Sequence, residues 1–354
     1  MSIKKINNRI IITSRESRGY SQEEMADLLR ITQGYLSKIE NGFIDPDNSM
    51  ISKIAQILNY NKSLFYSKYS VYSLGLNFYR KNKTLQNKYL KKLESLINIK
   101  KLSIQHLLET MEIVTNFQKI NFNENLNPIE AAIACRQYWK VPKGAVSNLF
   151  EVVESAGIII CFIDNLNFEG FSGVSTILEN NNNYVIFLNK QIPADRMRFT
   201  IAHELAHIIL HDVPTPDSER EANLFASEFL MPEVEIFENL KNLSMLNLPL
   251  LKKNWQASMT SIIVRAHELN TISSYKYKNL LTQMAKYGYK KSEPYPELIK
   301  KENPRLMSQV IEYYRNELDY SEEEISKLSG LNIPELISEF GMQESKHKLE
   351  LVKL

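Results

Sequence analysis

The sequence predicts an α+β protein that is mostly helical, with one small β-sheet near its middle. Three observations carry this. Apolar residues recur at the helical spacing of 3.6 over residues 128–155 and 254–290. Runs rich in β-forming residues are confined to residues 156–188, bounded by Asn and Gly. A capped pair of short helices opens the chain. At 354 residues there is enough chain for two or three domains with their own cores. The patterns divide it into an all-α helix-turn-helix bundle (1–70), a basic helical connector (71–126), a mainly helical domain holding the small sheet (127–245), and a helical C-terminal region (246–354).

Residues 5–60 read as five helices. Ser21-Gln-Glu-Glu24 is a capping box, with Ser21 as N-cap and Glu24 three residues on, and it starts a short helix through Leu29. After a tight turn, the stretch from Thr32 to Gly42 reads as a second short helix, with Leu36 and Ile39 inward and Gly42 as its stop. This is the spacing of a DNA-reading helix pair. The pattern S-Q-E-E-x-A-x-x-L followed by L-S-K-I-E-N-G resembles the Xre/phage-repressor helix-turn-helix family. That resemblance implies that Gln22 contacts a phosphate of double-stranded DNA, and that Gln33, Gly34, Ser37 and Lys38 face the major groove. Gln33 suits adenine, and Lys38 suits guanine or phosphate. Gly34 removes a side chain from that surface.

Charge supports a nucleic-acid partner only locally, since Lys and Arg number 43 against 41 Asp and Glu, a net +2. The excess follows the first unit: Arg80, Lys81, Lys83, Lys88, Lys91, Lys92, Lys100 and Lys101 face Glu94 alone between residues 71 and 105. Such a patch attracts phosphates in a salt-dependent way. It is equally the solvated face of a helix whose apolar stripe is Leu85, Tyr89, Leu93, Leu96 and Ile97.

Ala156 to Ile163 and Tyr184 to Leu188 read as strands, and Phe171 to Leu178 as a hairpin partner of the second, turning through Asn180 to Asn183. The run Phe199-Thr-Ile-Ala-His203-Glu204-Leu-Ala-His207-Ile-Ile-Leu-His211 then places H-E-x-x-H in an apolar helix. Residues four apart share a helix face, so His203 and His207 converge on one Zn²⁺ with Glu204 beside them as general base. The apolar surroundings predict burial, and buried His and Glu need a partner that a metal supplies.

A third ligand must come from elsewhere. Val213 stands where a metzincin would have His, and His211 points past the metal. In the next helix, Ser218 to Met231, the apolar face is Ala222, Phe225, Ala226, Phe229 and Leu230. Glu219 and Asn223 fall on that face, with Glu221 and Glu228 opposite.

The run from Arg198 to His207 and the stretch Glu219-Arg-Glu-Ala-Asn223-Leu-Phe225-Ala226-Ser-Glu-Phe-Leu-Met231-Pro232 resemble the ImmA/IrrE family of bacterial zinc metallopeptidases. Phe168-Glu-Gly-Phe171-Ser172-Gly resembles its D-G-F-S segment, with Glu169 where Asp is usual. Trp255 to Ala266 and Gly288 to Pro294 resemble its downstream motifs. The resemblance implies a zincin-like peptidase domain, Glu219 as third zinc ligand, and a repressor or antitoxin as protein substrate. Tyr184 and His211 are candidate donors for the oxyanion, and the edge strand beside the metal is a candidate rail for an extended substrate. The rival expectation is a non-catalytic DNA-binding regulator whose metal domain senses a ligand or binds a partner.

Cys135 and Cys161 lie far apart in apolar segments and read as reduced core thiols, which fits a cytoplasmic protein. The longest apolar run is too short to cross a bilayer, so no membrane partner is expected; a homodimer is compatible with the pattern. Ser321-Glu-Glu-Glu324 repeats the N-terminal capping box and reads as a capped surface helix rather than a second DNA reader.

Overall fold

The computed structural model describes residues 5–71, 74, 86–113, 127–164, 166, 170–179, 183–211, 213, 215–290, 292–340 and 351–353. The N-terminal unit holds α1 (Asn8–Ser17), α2 (Gln22–Leu29), α3 (Gln33–Glu40) and α4 (Asn48–Leu58), four helices within residues 5–60 rather than the five expected, and a 3₁₀ turn follows at Lys62–Tyr66. The capping box is formed: Ser21 Oγ accepts from the Glu24 amide at 3.1 Å, and the Ser21 amide donates to Glu24 Oε2 at 2.6 Å. Thr32 caps α3 by accepting from the Tyr35 amide.

α5 (Asn87–Leu107) is more than a connector. Leu90, Leu93, Ile97, Ile99, Leu102 and Ile104 are all buried, so it is apolar on several sides and lies inside a core with α1 packed along it. Of the expected basic patch, Lys88 and Lys91 are exposed and Lys92 is half-buried, whereas Lys100 is buried in an ion pair with Glu339. Arg80, Lys81 and Lys83 lie outside the described residues. A short strand β1 (Met111–Ile113) follows.

The middle of the chain comprises α6 (Pro128–Tyr138), α7 (Leu149–Ser155), β2 (Ile159–Ile163), β3 (Gly173–Ile177), β4 (Tyr184–Asn189), α8 (Ala194–Leu210), α9 (Ser218–Leu230) and α10 (Glu233–Leu240). The sheet order is β2-β4-β3, parallel between β2 and β4 and antiparallel between β3 and β4, which makes the expected hairpin and leaves β3 at an edge. Because side chains alternate along a strand, Ile159, Cys161, Ile163, Val185 and Phe187 enter one core, and Ile160, Ile186 and Leu188 enter another. The sheet is thus a partition between two cores, which explains its unbroken apolar runs.

The expected C-terminal region divides across that partition. α11 (Leu248–Trp255), α12 (Met259–Glu268) and α13 (Ser274–Lys286) join the second core with α8 and α9. α14 (Leu306–Asn316), α15 (Glu322–Ser329) and α16 (Ile333–Phe340) join the first core with the helix-turn-helix unit and α5. The Tyr314 hydroxyl donates to the Leu107 carbonyl at 2.9 Å, the Asn61 amide to the Gly330 carbonyl at 3.0 Å, and Arg18 pairs with Glu335 at 2.8 Å. β5 (Leu351–Lys353) pairs antiparallel with β1.

Ser321 and Glu324 form their capping box, and α15 lies at the surface with one covered face: Ile325, Ser326 and Ser329 are buried while Glu323, Glu324 and Lys327 are exposed. Gly330 ends it at φ 79°, and a Cβ there would lie 2.9–3.2 Å from Leu64, so the turn needs glycine. Asn332 then caps α16, accepting from the Glu335 amide at 2.9 Å. The pair α15–α16 repeats the spacing of α2–α3, yet α16 spends its acids, Glu335 and Glu339, on Arg18 and Lys100.

Candidate metal centre

α8 is nearly all buried: Ile201, Ala202, Leu205, Ala206, Ile208 and Ile209 sit in the second core. His203 and His207, one turn apart, keep 13% and 12% of their side chains accessible, and their Nε2 atoms are 3.2 Å apart. α9 packs across α8, and Glu219 in its first turn brings a carboxylate oxygen to 3.4 Å from each of those nitrogens. A tetrahedral zinc with bonds of about 2.0–2.1 Å separates neighbouring donors by about 3.3 Å, and two imidazoles with one carboxylate are a donor set zinc takes. The three residues fit the ion.

Residues 153–267 match the IrrE N-terminal-like domain, a peptidase M78 family, and residues 11–65 match a helix-turn-helix family. The two matches, each over less than half of the chain, are those of an ImmA/IrrE-like domain preceded by a helix-turn-helix domain. A search of curated proteins found no match. No helix of the described residues is long and apolar enough to cross a membrane.

Within the M78-like domain, Glu204 is 3% exposed, and its Oε2 accepts from both the amide and the hydroxyl of Ser175 at 2.8 Å. The β3–β4 ladder bonds run through Ser172 with Asn189 and Leu178 with Asn183, so Gly173, Ser175 and Ile177 direct their backbone groups to the open edge. The amide that anchors Glu204 is one of these. Gly173 permits the approach, because a Cβ there would lie 2.6 Å from Thr200 Cγ2 on α8. Ser175 was not among the expected site residues. The available signal was its place in a strand expected to pair beside the H-E-x-x-H helix.

Three expectations for the acids and His211 need correction. Glu219 is not on a buried stripe; its side chain is 54% exposed and reaches the histidines from the rim. Glu228, expected opposite the core, is buried and paired with Arg265, because α12 covers that side of α9. Glu221 is held by His211, whose Nε2 lies 2.9 Å from Glu221 Oε2. His211 caps the C-terminus of α8 in an extended conformation, φ −122°, so its ring leaves the helical progression and turns back, Nδ1 to 3.0 Å from His207 Nδ1. Burial holds its pKa below the usual imidazole range, with the Glu221 carboxylate opposing that shift. With both nitrogens engaged, His211 is not placed to serve an oxyanion. Tyr184 opens β4 opposite Ile177, half-buried against the second core. Both cysteines are free and buried, and burial pushes the Cys135 thiol up to about 12.

In the helix-turn-helix domain, Gln33, Gly34 and Lys38 are exposed along α3, and Ser37 is half-buried. No atom lies within 4 Å of a Cβ built on Gly34, so that position opens to solvent. Gln33 Nε2 donates to Gln22 Oε1 at 3.3 Å, Gln22 Nε2 to Glu40 Oε2 at 2.8 Å, and Arg15 binds Glu40 through two bonds of 2.7 and 3.1 Å. A buried ion pair therefore anchors, through Gln22, the residue expected to read bases. Glu40 was overlooked because it closes α3 beside residues that read as a helix stop.

Proposed function

We propose that the chain is a DNA-binding regulator whose second domain is a zinc-dependent endopeptidase acting in the cytoplasm on another helix-turn-helix repressor or an antitoxin. The observation that carries this reading is Glu204. It is buried beside the His203–His207–Glu219 cluster and anchored through one oxygen to β3, which a purely metal-holding scaffold has no need of. Zn²⁺ at the cluster would polarise the scissile carbonyl and make a water nucleophilic at neutral pH. Glu204 takes the proton of that water as its oxygen adds to the carbonyl carbon, then delivers it to the amine as the C–N bond breaks. An extended substrate pairs with the open edge of β3 through Gly173 and Ile177, the Ser175 amide being held by Glu204. DNA is read separately by Gln33, Gly34, Ser37 and Lys38, with Gln22 on phosphate.

Glu204→Gln tests the reading. Loss of the general base costs about 10²- to 10⁴-fold, so co-expression with a candidate helix-turn-helix repressor or antitoxin should show cutting by wild type and none by the variant. Zinc content and DNA binding should be equal in the two. If Glu204→Gln derepresses the target genes as wild type does, the domain is a sensor and not a peptidase.

A further inference from the structure

We infer that His211, Glu221 and Asn223 are positioning residues that set the tautomers of His207 and His203, turning both Nε2 lone pairs towards one cation. The inference rests on the zinc reading above and extends it to three side chains outside the ligand set.

A neutral imidazole has one N–H and one lone pair, and its neighbours decide which nitrogen carries which. Glu221 Oε2, as a carboxylate oxygen, only accepts, so in its 2.9 Å contact with His211 the proton sits on His211 Nε2. A neutral His211 ring carries no second proton. Its Nδ1 is then a lone pair, and in the 3.0 Å contact it must accept from His207 Nδ1–H. That uses the one proton of His207 and leaves Nε2 as its lone pair.

A separate partner does the same for His203. Asn223 Oδ1 lies 3.1 Å from His203 Nδ1 and accepts its N–H, again freeing Nε2. Both rings therefore present electron pairs to each other across 3.2 Å and to the Glu219 carboxylate at 3.4 Å. Such an arrangement is repulsive between the rings and is relieved by a shared cation. α9 thus contributes three residues with separate duties: Glu219 is a ligand, Asn223 orients one histidine, and Glu221 orients the other through His211.

Two measurements on the full-length protein test this. In ¹⁵N-histidine NMR of the metal-stripped protein, His203 and His207 should both show the Nδ1–H tautomer. In His211→Ala, His207 should move to the Nε2–H form while His203 is unchanged. In competition of zinc with a chelator, His211→Ala, Glu221→Ala and Asn223→Ala should each weaken zinc by about 10- to 100-fold. Glu221→Gln, which still accepts from His211, should recover most of that loss. Circular dichroism of the metal-free variants should match wild type. An Nε2–H tautomer at His207 in a wild-type protein that binds zinc would overturn the inference, as would unchanged zinc affinity in both Glu221→Ala and His211→Ala. Wild type that binds no zinc yet shows both Nδ1–H tautomers would sink the zinc reading and leave the tautomer assignment standing.

Discussion

The candidate metal centre and the candidate DNA-reading helix solve one problem, holding polar side chains at a fixed place, by different means. At the candidate metal centre Glu204 is buried, His203 and His207 are half-buried, and each is held by a neighbour: Ser175 grips Glu204, Asn223 faces His203, and Glu221 with His211 faces His207. On α3 the functional face is exposed, and one buried pair, Arg15 with Glu40, supports it through Gln22. A peptidase must align a few atoms before its substrate arrives. A DNA reader completes its contacts on the groove, so exposed, adjustable side chains serve it.

Removing Glu40 should break the DNA-reading side of this comparison and leave the other intact. Glu40→Ala strands the Arg15 guanidinium in a buried site, at a cost of about 3–5 kcal/mol. Thermal unfolding of the variant should reveal that loss, with zinc affinity unchanged because the centre belongs to the other core. A matching loss of zinc would show that the two regions are not separately supported.

The seam between the cores offers the next test. Glu154 on α7 accepts from the amides of Arg305 and Leu306 at 2.8 and 3.0 Å, capping α14, and burial pushes its carboxyl up to about 8. Below its ordinary value near 4.5 the group is neutral in both folded and unfolded chains. As pH rises from there to about 8, the unfolded chain ionises first and the folded one resists. Wild-type stability should therefore fall through that window and level off above it, a change on the order of a few kcal/mol. Glu154→Gln should flatten this part of the profile in denaturant melts at pH 5, 6.5 and 8. An unaltered slope would place the ionisation elsewhere.

The smallest expected effects lie on the exposed surface. Gln33→Ala should cut discrimination between operator and scrambled DNA by about 1–3 kcal/mol, whereas Lys91→Ala on α5 should weaken both alike. Equal losses on both DNAs for Gln33→Ala would remove it from base reading.

Local signals carried much of the architecture. The capping boxes at Ser21 and Ser321 formed as expected because their partners are three residues apart. The H-E-x-x-H helix and the hairpin of β3 with β4 also depend on near neighbours and a fixed period. Amphipathic reasoning failed at Glu228, since it assumes one covered face and α9 is covered by α8, α6 and α12.

By itself, then, the sequence determined what short-range chemistry controls: where helices start, which strands alternate, and that His203 and His207 share a face with Glu204 beside them. Tertiary structure decided which chain covers which surface. It split the C-terminal helices between two cores, set α16 against Arg18 and Lys100, slid Ser175 under Glu204 past Gly173, and turned His211 back to Glu221. The physical reason is that burial and hydrogen-bond pairing belong to surfaces brought together from distant parts of the chain, and no local spacing encodes which surfaces meet.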